Sequence, residues 1–167
     1  FVGSLGVSMG QVPLWSGILF SLVAGAGAVG NHLCSRLLER YSPGTVILAS
    51  IFVATGVAAS VSGATQVMLL AAVLPLFGLA IGIGSTAAYA IAGQVIPSDA
   101  QGVGFGVLSS ASMVGLALSP VLSGLLGSVS LRSVFLVDAL LLAALGVVGS
   151  SSFRRIVAMR DLKPAKS

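Results

Sequence analysis

The chain has 167 residues, 56% hydrophobic and only 7% charged, with a formal net charge of +4 and a mean hydropathy of +1.11. Water-soluble domains carry about a quarter charged residues, so a soluble globular domain is excluded, and no nucleic-acid partner is expected. The single cysteine, Cys34, permits no internal disulfide.

The opening FVGSLG reads as the end of an apolar segment already under way, and no basic stretch precedes an apolar core as it would in a signal peptide. We therefore expect the chain to be part of a longer polypeptide. Charges and turn residues then divide the sequence into apolar spans at about 12–33, 45–62, 67–92, 103–126 and 134–152. At 1.5 Å per residue, stretches of about 18 to 26 residues cross the roughly 30 Å of bilayer hydrocarbon as helices. A transmembrane barrel would instead show strands of about 10 residues with alternating polarity, and VILASIFVATGVAASV does not alternate. The fold class predicted is all-α: a polytopic membrane protein with five complete transmembrane helices and the end of a sixth.

Between the first two spans stands GNHLCSRLLERYSP, where Arg36, Glu39 and Arg40 crowd together; from Tyr41 to Ser98 there is no further charge. A charge at mid-bilayer costs roughly 3 kcal/mol, against about −0.5 kcal/mol for each neighbouring leucine. These three side chains must reach water, and they are expected to form a loop. Alternating the spans puts Arg36, Arg40 and the tail residues Arg154, Arg155, Arg160, Lys163 and Lys166 on one face, with Arg132 alone on the other. By the positive-inside rule that face is cytoplasmic. The division expected is a helical bundle over 1–153 and a basic cytoplasmic tail over 154–167, in a multi-pass protein of the cell membrane. The tail serves as a flank for the last helix, with anionic lipid as its other conceivable contact.

Several motifs have a structural and a functional reading. GAGAVG, 25–30, matches Gly-x-Gly-x-x-Gly, but a dinucleotide site needs it between a strand and a helix, with an acid about 20 positions on. Here it lies inside an apolar span and the later region reads TVILAS, so close helix packing explains the glycines better. Small residues recur four apart in Gly78, Gly82 and Thr86, in Gly102, Gly106 and Ser110, and in Gly115, Ser119, Ser123 and Gly127. Such rows let helices approach closely in lipid. With Pro75 and Pro120 inside spans they indicate helices that bend. In PSDAQG, Ser98 and Gln101 fit a capping box at the start of the fourth span, with Asp99 near its N-terminus. Asp138 is the acid that falls within a span and is the candidate for proton coupling, although it also lies near enough to the interface to reach Arg132. His32 and Asn31 are read as loop-edge polar residues. No Cys, His and acid cluster suggests a metal site, and no nucleophile, base and orienting group assemble into an enzyme active site.

The order of these features has a family likeness. Gly30, Leu33, Arg36, Leu37, Leu38, Arg40 and Pro43 resemble the GxxLxxRLLxRxxP loop between the eighth and ninth helices of the major facilitator superfamily. IPSDAQGVGFG, with Pro97, Asp99, Gly102 and Gly106, is similar to its loop from helix ten to eleven. GLALSPVLSGLLG looks like helix eleven and SVFLVDALLLAAL like helix twelve. The chain departs from the stricter GxLaDR form of the loop, with Cys34 where the family has aspartate. The resemblance covers nearly the whole chain and implies the second half of a two-part transporter with nested inverted repeats. A six-helix first half would be its partner. It further implies alternating access about a central cavity lined by helices seven, eight, ten and eleven. The polar groups near mid-depth, Ser21, Ser85, Tyr89, Ser109 and Ser112, are then the substrate-binding candidates, with interhelical hydrogen bonding as their structural reading. Spans so poor in charge suit a lipophilic compound or metabolite, exported in exchange for protons, and no cofactor is implied. A non-transporting helical membrane scaffold or assembly subunit is the alternative; the glycine rows and helix prolines favour the transporter.

Overall fold

The structure, a computed structural model, describes residues 8–64, 66–129 and 131–161. The opening FVGSLG and the tail's Lys163 and Lys166 lie outside the described residues, as do the side chains of Arg132, Arg154, Arg155 and Arg160. A short 3-10 turn, Met9–Gln11, leads into α1 (Val12–Arg40); α2 (Pro43–Ser62), α3 (Val67–Val95), α4 (Gln101–Val129) and α5 (Leu131–Asp161) follow. Among the described residues there is no strand, and five helices are long and apolar enough to cross a membrane.

The elements run longer than the apolar stretches that announce them. The stretch bearing Arg36, Glu39 and Arg40 is not the expected loop: α1 stays helical through Arg40, and only Tyr41 and Ser42 separate it from α2. With 29 residues α1 measures about 43 Å, more than the roughly 30 Å of hydrocarbon, so its charged last turns reach the headgroups without leaving the helix. What ends α1 is Pro43, which disfavours helical backbone in the residue before it. Tyr41 and Ser42 are both extended (φ −127°, ψ 151° and φ −64°, ψ 142°). Ser42 then caps α2, its Oγ accepting from the Thr45 N–H at 3.3 Å and pairing with the Thr45 hydroxyl at 2.8 Å, while Pro43 takes the first helical position. The tail is likewise helical up to Asp161.

The expected capping box is also replaced. The Ala100 N–H bonds the Pro97 carbonyl at 3.0 Å in a tight turn, and α4 starts only at Gln101, with the Gly104 N–H on the Ala100 carbonyl at 2.9 Å. A box on Ser98 would need the helix to begin at Asp99. The proline-led turn takes those two residues instead.

α3 is the hub. It packs in parallel against α1 and antiparallel against α2, whose other side meets α5; α4 touches α5 and, lightly, the end of α3. Two small cores hold α1, α2 and α3 together. At the Gln66 end Leu19, Val57, Val61, Ala64 and Leu70 are buried with Phe77 and Phe135 against them. At the Arg40 end Cys34, Val46, Ile83 and Ala87 form the second, flanked by Leu37 and Leu38. No described side chain of α4 is buried. Most of the large apolar side chains are exposed, which is the expected arrangement when the surrounding solvent is hydrocarbon.

Candidate functional site

Between the two cores, α1 and α3 meet backbone to backbone. A Cβ on Gly78 would overlap the Val23 carbonyl oxygen, one on Gly82 the Gly27 carbonyl, and one on Gly30 the Leu79 carbonyl. The first two glycines of this seam, on α3, stand one turn apart, as do the carbonyls they face on α1. Any larger residue would push the helices apart, and in lipid no hydrophobic drive would restore the contact.

Polar contacts border the seam on its Arg40 side. Thr86 Oγ1 donates to Asn31 Oδ1 at 3.0 Å. One turn further along α1 the Cys34 thiol, fully buried, donates to the Ile83 carbonyl at 3.4 Å. Asn31 is thus not a loop-edge residue: α1 continues well past it and its side chain bridges to α3. The position where the stricter loop pattern has aspartate holds a buried thiol inside a helix contact. His32 is exposed on α1.

The remaining predicted residues distribute as follows. Tyr89 of α3 stacks on Phe105 of α4, ring centroids 6.1 Å apart and planes at 20°, and Phe105 also lies against Gly93. This stack joins the end of α3 to the start of α4. Ser85 lies one turn before Tyr89 on the same face, and Ser109 one turn after Phe105 on α4, with Ser112 a further turn on. Ser85 and Ser112 donate to their own helices, to the Gly82 carbonyl at 3.1 Å and the Leu108 carbonyl at 3.0 Å, which leaves their oxygens free to accept. Ser21 is set apart, exposed in a shallow groove along α1 with Pro13 and Ile18. Arg36 and Arg40 are exposed in the last turns of α1. Gly102, Gly106 and Gly115 have open space where a Cβ would stand, and Pro120 is exposed inside α4. Asp138 is exposed on α5, inside the span Ser133–Ser150. No metal-binding group of His, Cys, Asp and Glu forms among the described residues.

Sequence reasoning did not single out Phe105, nor the pairing of Asn31 with Thr86. The signal for the second was present: Thr86 continues the four-residue row of Gly78 and Gly82, and Asn31 follows Gly27 by the same step.

Five long apolar helices, two of them joined by a glycine seam, describe many membrane proteins. The deciding observation is that the family model of the Major Facilitator Superfamily matches residues 1–166. The chain belongs to that superfamily. Its members are membrane transporters rather than enzymes, and membrane transport is the activity this chain serves. Neither curated proteins nor solved structures gave a match. Within a superfamily transporter the α1–α3 seam is a contact between two spanning helices, and the Tyr89–Phe105 stack sits at the end of α3 that shares a membrane face with Arg40.

Proposed function

We propose that the chain contributes to secondary active transport of a lipophilic compound or metabolite, moved outward by alternating access in exchange for protons. Ser85, Tyr89, Ser109 and Ser112, with Ser21 from α1, are the groups assigned to the substrate. The observation that carries this reading is the poverty of charge: no Lys, Arg, Asp or Glu occurs from Tyr41 to Ser98 or from Ala100 to Leu131. A polar or anionic cargo would need fixed opposite charges or amides at mid-depth to replace its hydration. Hydroxyl groups, an aromatic ring and apolar walls suit a weakly polar molecule instead. Asp138, an acid in a described span, is the group assigned to the proton. The working unit in this proposal includes a six-helix first half facing this bundle, with the C-terminus on the cytoplasmic side.

The test is flux of a lipophilic fluorescent dye in proteoliposomes of the intact protein, with and without a pH gradient. The reading predicts uptake that the gradient accelerates and that Asp138→Asn uncouples from it. Tyr89→Ala and Ser85→Leu should each raise KM about tenfold, the loss of roughly 1.4 kcal/mol of binding. Flux indifferent to the gradient would refute proton exchange, and an unchanged KM in both variants would refute the site.

A further inference from the structure

The transport reading makes no use of a cavity lined by α1, α2 and α3. It lies at the Arg40 end of the bundle, between α1 and α2, with α3 as its floor, and encloses about 270 Å³. Val46, Ser50 and Ile83 form its buried base, while Tyr41 and Val53 on the rim are 57% and 48% exposed, so it opens on the bundle's surface. Its walls are mainly Leu, Val, Ala and Ile side chains, and two of its hydroxyls already have partners. Ser50 Oγ donates to the Val46 carbonyl at 2.9 Å, and the Thr45 hydroxyl pairs with Ser42 at 2.8 Å. What the walls offer an occupant is therefore apolar contact. From Thr45 to Val53 the groove follows α2 for about 12 Å, from the helix end into the hydrocarbon layer.

By the helical wheel of α1, the charges nearest the groove are of one sign. Arg36 and Arg40 are exposed, and neither makes an ion pair among the described residues. Helical geometry places Arg40 about 60° round α1 from the groove-lining Leu37 and Arg36 about 100° from it, whereas Glu39 lies about 160° away, on the far side. A dry slot running into hydrocarbon beneath two unpaired guanidinium groups matches a molecule with an apolar chain and a negative head. We propose that this groove holds an acyl chain of an anionic phospholipid, with its phosphate held by Arg40 and Arg36. Arginine's planar fork suits phosphate oxygens; a zwitterionic lipid offsets its phosphate with a cation that the arginines repel, and an uncharged lipophile gains nothing from them.

The test is local quenching of tryptophan fluorescence in the full chain. Trp15, the chain's one tryptophan, is replaced by Trp15→Phe, and Val53→Trp puts a reporter on the rim at the end of the groove farthest from Tyr41. Leu118→Trp, on the exposed surface of α4, gives the reference for ordinary boundary lipid and for any general enrichment by the basic tail. Each is reconstituted in equal mixtures of phosphatidylglycerol and phosphatidylcholine, with one or the other brominated on its chains. We expect the Val53→Trp reporter to favour phosphatidylglycerol roughly fivefold over the reference, the worth of one basic group near anionic lipid. Adding Arg36→Gln and Arg40→Gln, both at exposed positions, should bring the ratio to that of the reference. Equal quenching by the two lipids at Val53→Trp would overturn the proposal, and so would a preference that survives the loss of both arginines.

Discussion

A single methyl group decides the contact at Gly78. A Cβ there would overlap the Val23 carbonyl, and one at Gly82 the Gly27 carbonyl; backbone cannot swing aside as a side chain can. Gly78→Ala and Gly82→Ala are each expected to destabilise the bundle by about 1–3 kcal/mol, the usual cost of overpacking. Gly115→Ala meets nothing and should be neutral or stabilising, within about 1 kcal/mol, through helix propensity. Thermal unfolding of the three variants in detergent, followed by fluorescence, checks the contrast; equal losses would mean that the seam is not where α1 and α3 meet. Thr86→Val removes the hydrogen bond to Asn31 and is expected to cost only about 0.6 kcal/mol in the same assay. The spacing of Gly78 and Gly82 is the same as that of Gly102 and Gly106. Periodicity identifies such rows, but only the third dimension says that one faces carbonyls while the other faces open space.

At the scale of elements, hydropathy points to the five described helices but not to where all of them end. Charge cannot stay in hydrocarbon, so Arg36, Glu39 and Arg40 suggest a loop, yet a helix of 29 residues carries them out to water while keeping its hydrogen bonds. Charge marks where the membrane ends, and Pro43 marks where the helix does. The same distinction explains why Asn31 suggests a loop edge from sequence and lies well inside α1. Ser98 differs for another reason: its three-residue step to Gln101 suits a capping box, but Pro97 starts a turn that consumes the first two positions. The α1–α2 corner then depends on one short side chain. Ser42→Ala deletes the cap on the Thr45 N–H and is expected to cost about 1 kcal/mol in thermal unfolding. Ser42→Asp, which keeps an acceptor there, should recover most of it.

For the whole molecule, the informative contrast is between α3, which touches α1, α2 and α4, and α4, which has no buried side chain among the described residues. In water such an apolar helix would be untenable; in lipid it is stable alone. Leu116→Trp on α4 should therefore leave the unfolding of this bundle within about 0.5 kcal/mol of the parent. Alternation of the spans is the claim on which the rest stands, since it puts the α1–α2 corner and the α3–α4 turn on one membrane face and the α2–α3 turn on the other. Cys34 is the chain's only thiol, so Cys34→Ala clears the background for Glu39→Cys, Gln66→Cys and Asp99→Cys. A membrane-impermeant thiol reagent, applied to sealed vesicles of known orientation, should reach positions 39 and 99 from the same face and position 66 only from the opposite one. Labelling of position 66 from the face that exposes position 39 would contradict the spanning bundle, and the transport path through it would have to be abandoned.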